Sequence, residues 1–315
     1  MDRTSNQYIK YKGINLRQVK KVTQCRSCGA DDMNTVFDMG DLKINAFTVE
    51  PNTDVGSAPL TLVHCHVCDL IQLDHTVREQ ELYENYWYLS RLNQKIVDNL
   101  SSIVDDITNE VGLNKDDIVL DIGANDGTLL SNYDSKKVTR VGCDPAKNIH
   151  LDLVKHTDIM IGDFFNYENW VTRVGIKTAR AITTVAMFYD LDDPNSFVQD
   201  IKKVLATDGV WLCQLMTAEP MLASNDLGNV IHEHIEYYSF KSLVVLMERH
   251  GLEIYKVLEN DINGGSYQLY IRHYTTGSIE YAEDITPERI SQWADNIAQN
   301  RDDTVAFLRK VVNEG

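Results

Sequence analysis

Two groups of side chains in this chain could do chemistry, and a third could hold a ligand. His232-Glu233-His234 places two imidazoles and a carboxylate within three residues. Imidazole has the ordinary pKa best suited to proton abstraction near neutral pH, and an adjacent carboxylate can orient it. As a metal site the trio is spaced too tightly for the helical i, i+4 arrangement of H-E-x-x-H, and no third ligand accompanies it. Cys25-Arg26-Ser27-Cys28 and Cys65-His66-Val67-Cys68 are two C-x-x-C turns. Each such turn aims two sulfurs at one point, and a pair of turns builds a tetrahedral thiolate cage for Zn²⁺. A redox pair needs only one C-x-x-C at a helix start, and disulfides belong to oxidising compartments. His64 and His66 flank the second turn as substitute ligands, but Cys25, Cys28, Cys65 and Cys68 already complete the shell. A complete shell leaves no open position, so this metal is expected to fold the unit and not to catalyse.

The ligand-holding stretch runs Ile118-Val119-Leu120-Asp121-Ile122-Gly123-Ala124-Asn125-Asp126-Gly127. It reads as a short buried strand breaking into a glycine-bearing turn, with a helix-compatible run behind it. A βα turn of this kind brings backbone N–H groups to a ligand at the carboxyl edge of a parallel sheet. The dinucleotide fingerprint needs glycine where this chain has Asn125, so no pyrophosphate is expected there. Asp121, Gly123, Gly127 and Asp144 suit instead a nucleoside with a free ribose diol. Asp144, followed by Pro145, lies about 20 residues beyond Gly123, where a carboxylate ending the second strand accepts both ribose hydroxyls. At the end of the third strand Asp163 either accepts from an adenine amine, with Phe164 against the ring, or caps a helix.

Stepping outward, the elements that must position these groups alternate from Lys115 onward. Strands are expected at 118–122, 138–143, 158–161, 180–185 and 209–215, with helical runs at 128–132, 145–156, 166–174 and 194–206. Repeated βα units define an α/β fold, a doubly wound sheet with ligands at the carboxyl ends of its strands. A long helix precedes it, with Leu92, Ile96, Leu100, Ile103, Ile107 and Val111 on one face and Gly112 as its stop. Ahead of that helix Tyr83, Tyr86, Trp87 and Tyr88 form an aromatic cluster whose simplest reading is packing at a junction. Ser239 is expected to cap a helix running to His250, strands to follow at 253–258 and 267–273, and a tail helix from Pro287 to present Ile290, Trp293, Ile297, Val305, Leu308 and Val312 on one side. The expected organisation is a zinc-binding domain at 1–80, a second domain at 81–275, and a C-terminal helix at 276–315 that either ends a short protein or starts a further domain.

Length and charge bound the partners. The chain has 315 residues, 43% hydrophobic and 24% charged, with a net charge of −17. That acidity argues against nucleic acid and against an anionic membrane surface, both of which reward clustered Lys and Arg. The polar N-terminus does not read as a signal peptide, and no apolar run is long enough to span a bilayer, so a cytoplasmic protein is expected. Cys143 and Cys213 sit singly in strand-like runs and read as core residues.

The two cysteine turns, Asp121-Ile-Gly-Ala-Asn-Asp-Gly-Thr-Leu-Leu130, His232-Glu233-His234-x-x-Tyr237-Tyr238-Ser239 and Gly264-Gly265-Ser266 together resemble the zinc-containing sugar C-methyltransferases, in the same order from Cys25 to about Tyr274. The resemblance implies a class I methyltransferase Rossmann-like fold that binds S-adenosylmethionine and methylates a nucleotide-linked 4-keto-deoxysugar on carbon. It implies that a proton beside the ketone is removed and that the resulting enolate takes the methyl group. By motif position His234 is the general base, Glu233 orients it or binds the sugar, His232 is the reserve candidate, and Tyr86 and Tyr88 line the sugar site. Asp121, Gly123, Asn125, Gly127, Asp144, Pro145, Asp163 and Phe164 fall on the cofactor loops. The chain departs from the family at Ile231, where a tyrosine is usual, and at Gln268, where an arginine often stands. No basic pocket for a diphosphate stands out in the sequence; Arg91 and Lys95 are candidates only from their place beside the aromatics. Other readings are O-methylation of a sugar by the same histidine, and a cofactor-binding subunit without turnover. RNA methylation is disfavoured by the acidity and by Ala186-Met187-Phe188-Tyr189-Asp190 after the fourth strand, which lacks the Asn/Asp-Pro-Pro-aromatic turn.

Overall fold

A computed structural model describes residues 8–9, 19–44 and 56–314. Most of the polar N-terminal stretch therefore lies outside the described residues.

The central sheet has seven strands in the order Leu252–Asn260, Ser266–His273, Leu205–Met216, Ala179–Val185, Asp117–Ile122, Val138–Cys143, Ile159–Ile161. The last five are mutually parallel, and Ser266–His273 runs antiparallel to both of its neighbours. This is the doubly wound class I methyltransferase arrangement. Ile118 through Ile122 are all buried, because helices cover both faces of a parallel sheet. The strand order reverses between Asp117–Ile122 and Ala179–Val185, which opens a crevice beyond their carboxyl ends.

Local chemistry sets the helix ends. Gln94–Val111 begins where the Asn93 side chain accepts the Lys95 N–H at 3.1 Å, and stops at Gly112 in the left-handed region, φ 60°. Pro194–Val204 starts at Asp193, which accepts from Ser196 N at 3.0 Å. Ser239 caps Phe240–Arg249 in a reciprocal box with Ser242, each hydroxyl accepting the other's N–H at 3.0 Å. Two expected helices shrink. The run at 128–132 is a single 3₁₀ turn, Leu130–Asn132, and that at 145–156 is Lys147–Ile149 followed by His150–Leu153. Asp126 captures the Thr128 N–H and Asp144 the Ala146 N–H, so side chains take donors that a helix start would otherwise organise.

The cysteine unit is a four-stranded antiparallel sheet in the order Glu236–Tyr237, Ile71–Leu73, Ser57–Cys65, Met33–Lys43. Its edge strand comes from the far side of the sequence, two residues beyond His234. The first half of the tail helix Pro287–Glu314 packs on this sheet, with Trp293 edge-on to Phe37 at 6.2 Å. Ile290, Trp293 and Ile297 are buried as expected, whereas Val305, Leu308 and Val312 are exposed. No helix among the described residues is long and apolar enough to cross a membrane.

Candidate active site

The turn after the first strand of the central sheet is held from below and from the side. Gly123 and Ala124 both donate to the Cys143 carbonyl, at 2.9 and 3.1 Å. Gly123 has φ +72°, and a Cβ there would meet Met187 Cγ at 3.0 Å, so the bare backbone is what keeps the crevice open. Gly127, φ +80°, lies against His156, where a Cβ would come within 2.9 Å. Asp144 receives Asn125 N–H on Oδ2 at 2.8 Å and Ala146 N–H on Oδ1 at 2.9 Å. Each oxygen keeps a lone pair for a further donor, the requirement for gripping a ribose diol. Burial pushes the Asp144 pKa up, against these two backbone donors. Asp121 is buried beneath and accepts the Thr183 hydroxyl at 2.7 Å. Burial, opposed by that hydrogen bond and joined by the charge of Asp144, pushes the Asp121 carboxyl up to about 7.

Asn125 does more than line the turn. Its Nδ2 donates to Tyr88 O at 2.9 Å and its Oδ1 accepts from Ser90 N at 3.1 Å. Asn148 grips the same strap one step earlier, exchanging hydrogen bonds with Tyr86 N and O at 2.9 and 2.8 Å. The aromatic segment is thereby tied across the turn by two side-chain amides.

A cavity of about 1500 Å³ fills the crevice. That exceeds the ~300–1,000 Å³ of a single small-molecule pocket and leaves room for two ligands. Asp121, Gly123, Asn125, Asp144, Pro145, Phe164, Tyr86, Tyr88 and His234 all line it. Cofactor loops, aromatics and one histidine thus converge. Glu233, His232, Gly127 and Asp163 do not line it. His232 is buried with Nε2 3.0 Å from Ala58 O, tying its segment to the cysteine unit. Glu233 gives its backbone carbonyl to the Tyr83 hydroxyl at 3.0 Å, and burial raises its carboxyl pKa. Asp163 is exposed and accepts its neighbour's N–H, from Phe164, at 2.8 Å. The helix cap there is Asn166, not Asp163.

His234 is held from three sides. Its Nδ1 lies 2.9 Å from the Asn229 carbonyl, which can only accept, so Nδ1 carries the proton and Nε2 a lone pair. Its ring packs edge-on against Tyr189 at 4.7 Å. The next residue is anchored twice: Ile235 N donates to Tyr189 O at 3.0 Å, and Ile235 O accepts from Leu73 N at 2.9 Å. Burial lowers the His234 pKa below its ordinary 6.5, against the Asn229 hydrogen bond, and keeps the ring neutral at pH 7.

The four cysteine sulfurs lie within 4.8 Å of one another, Cys25 to Cys68 and Cys28 to Cys65 at 3.5 Å. Zinc–sulfur bonds of ~2.3 Å give tetrahedral edges near ~3.8 Å, so the cage fits Zn²⁺. The two knuckles share a backbone design: Gly29 N donates to Cys25 O at 2.8 Å and Asp69 N to Cys65 O at 2.9 Å, both residues at positive φ. His64 turns to Asp69, 3.4 Å away, and neither it nor His66 joins the sulfur cluster.

Several lining residues escaped sequence reasoning. Tyr83, Tyr189, Asp190, Asn229 and Gln214 border the cavity. Gln214 accepts from Gln268 Nε2 at 2.9 Å. Ile231 lies outside the lining. Arg91 is spent on Asp126 and Asp152 at 3.2 and 2.9 Å, and Lys95 on Asp261 at 2.9 Å. Neither lines the cavity, whose described lining carries one arginine, Arg301, and no lysine. For most of these residues the only signal was position beyond a strand's carboxyl end.

The sheet order, the ribose-ready carboxylate and the glycine turn define an S-adenosylmethionine-dependent methyltransferase fold with an N-terminal zinc cage. The chain belongs to the methyltransferase domain family, whose model matches residues 88–257, and a zinc binding domain model matches residues 25–83. Among characterised proteins it is similar to the C-methyltransferase NovU of Streptomyces niveus, with 28% identity over 258 residues, covering 80% of this chain. The matched region spans 61% of NovU's length. Among solved structures it is similar to the cyclopropane synthase MmaA2 of Mycobacterium tuberculosis (13% identity, 54% of this chain and 82% of that one, TM-score 0.44). It is also similar to an S-adenosylmethionine-dependent methyltransferase of Clostridium acetobutylicum (12% identity, 57% and 92%, TM-score 0.45).

Proposed function

We propose that this protein methylates a carbon next to the ketone of a nucleotide-linked deoxysugar, with His234 as the base that removes the proton. The observation that carries the reading is the His234–Asn229 hydrogen bond. It fixes the tautomer so that a neutral, unprotonated Nε2 stands in the same cavity as the cofactor turn. Similarity to a C-methyltransferase supports carbon as the acceptor.

S-adenosylmethionine supplies an electrophilic methyl group when bound. Asp144 would grip its ribose, the Gly123 backbone would admit it closely, and Phe164 would cover the base. The chain's own residues do the rest. Tyr86 and Tyr88, strapped down by Asn148 and Asn125, shape the sugar side. Glu233 braces the loop through Tyr83, and His232 anchors it to the zinc-caged sheet. Arg301, the one cation in the described lining, is itself paired with Asp302 at 2.8 Å.

The test is mass spectrometry after incubating the protein with S-adenosylmethionine and a panel of nucleotide-linked 4-keto deoxysugars. A gain of one methyl with wild type, lost in His234→Ala, is expected. Full turnover by His234→Ala removes the histidine from its role, and no gain with any sugar removes the substrate class.

A further inference from the structure

Proton removal beside a ketone leaves charge on oxygen, and that charge needs a donor aimed at it. Tyr86 and Tyr88 carry hydroxyls on the sugar side, but no role assigned so far meets this charge. Asp190 closes the 3₁₀ turn Phe188–Asp190 beyond the carboxyl end of the fourth strand, and it lines the cavity with His234. Its Oδ1 is shut off from solvent and meets no hydrogen-bond partner. Its position relative to His234 is fixed. The preceding residue, Tyr189, carries the ring packed against the imidazole at 4.7 Å and the carbonyl bonded to Ile235 N at 3.0 Å. The nearby Tyr83 hydroxyl is engaged with Glu233 O at 3.0 Å.

We propose that Asp190 acts as an un-ionised carboxylic acid that donates a hydrogen bond to the substrate's carbonyl oxygen as the enolate forms. This rests on the reading of His234 as base. Nε2 of His234 takes the hydrogen as a proton, the C–H electron pair becomes the carbon–carbon double bond, and the carbonyl π pair moves onto oxygen. Asp190 hydrogen-bonds that oxygen and keeps its own proton. The groups facing Asp190 are suited to this: burial and then the charges of Glu233 and Glu236 push its pKa well up, against a side-chain hydrogen bond from Tyr83. Base and donor are thus tuned in opposite directions, a pairing that separates acid and base roles.

The experiment is exchange of the proton beside the ketone in heavy water, without S-adenosylmethionine, on a panel of nucleotide-linked 4-keto deoxysugars. Asp190→Ala should slow exchange by about 10²-fold. Asp190→Asn, whose amide N–H still donates, should stay within roughly tenfold of wild type. Exchange as slow in Asn as in Ala would make the carboxylate an acceptor and overturn the donor role, as would wild-type exchange in Asp190→Ala. Infrared spectra at neutral pH add a readout that needs no substrate: Asp190→Asn should lose an un-ionised carboxyl band, and an unchanged spectrum overturns the proposal. If wild type itself exchanges nothing with any sugar, the His234 reading falls and this one with it. If wild type exchanges and His234→Ala does not, failure belongs to Asp190 alone.

Discussion

His234 Nδ1 and the Asn229 carbonyl oxygen stand 2.9 Å apart, and this contact decides which imidazole nitrogen can act. The same carbonyl accepts the Tyr237 hydroxyl at 3.2 Å, so it is held in place by a second donor. With the tautomer set, pH controls only whether Nε2 is free. Burial lowers the His234 pKa below 6.5, so the active neutral form survives to lower pH than for an ordinary histidine. The acid limb of kcat/KM is therefore expected below pH 6.5, measured with a sugar that turns over. An acid limb at or above that value contradicts a buried, neutral base.

Removing the imidazole tests the same group directly. His234→Ala should lower kcat by about 10²–10⁴-fold, the usual contribution of general base catalysis. Calorimetric affinity for S-adenosylmethionine should be unchanged, because the cofactor loops are built from other elements. A parallel loss of cofactor binding would mean that His234 shapes the site and does not act on substrate.

Asp144 carries the opposite expectation. Asp144→Ala strips the partners of Asn125 N and Ala146 N and removes the carboxylate proposed to accept the ribose hydroxyls. Hydrogen bonds to a charged group contribute ~1.5–3 kcal/mol each, so affinity for S-adenosylmethionine should fall by about 10–100-fold or more. Undiminished affinity in a titration would displace Asp144 from the cofactor site.

The zinc cage reaches the site through one strand. Glu236–Tyr237 pairs with Ile71–Leu73, and Cys65 ends the next strand of that sheet. Cys65→Ser should lose zinc by elemental analysis, destabilise the N-terminal unit by several kcal/mol and reduce turnover, since His234 is braced by the same sheet. Zinc content and melting temperature at wild-type levels would exclude a four-cysteine structural site.

Glu253 predicts a pH effect on stability far from the cavity. Its carboxylate accepts from Arg272 Nε, Thr275 N, Thr275 Oγ1, Thr276 N and Gly277 N at 2.5–2.8 Å. Burial pushes its pKa up, but the hydrogen bonds from Thr275, Arg272 and Thr276 outweigh that and hold it at about 2, against an ordinary 4.5. A carboxyl with a depressed folded value contributes stability above its unfolded pKa and loses it as pH falls through the folded one. Glu253→Gln should thus be less stable by about 2 kcal/mol or more at pH 7, with the gap closing between pH 4.5 and 2 in denaturant melts. A gap that does not change with pH would show that ionisation of Glu253 is not what stabilises the turn.

What the sequence made legible was local. Two C-x-x-C turns, an apolar run ending in Asp121 and Gly123, and helices begun by Asp193 and Ser239 each carry their information within a few residues. The contacts that build the site do not. A two-residue strand such as Glu236–Tyr237 has no periodicity, and its pairing with Ile71–Leu73 bridges more than half the chain. His232 looks as reactive as His234 until its bond to Ala58 O is seen. Asn125 stands where a dinucleotide fold has glycine, and only the fold reveals that its amide straps Tyr88 and Ser90. Asp190 was visible only as part of a stretch lacking another family's motif; the burial of its unpartnered Oδ1 is a three-dimensional fact.

The most direct measurement of the central claim is where the methyl group goes. With S-adenosylmethionine labelled by carbon-13 in its methyl group and a nucleotide-linked 4-keto deoxysugar, carbon NMR distinguishes a methyl on carbon from one on oxygen. His234 acting as base beside a ketone requires the label on the neighbouring ring carbon, and its disappearance in His234→Ala. A methyl found on oxygen, or a carbon product that persists in that variant, contradicts it.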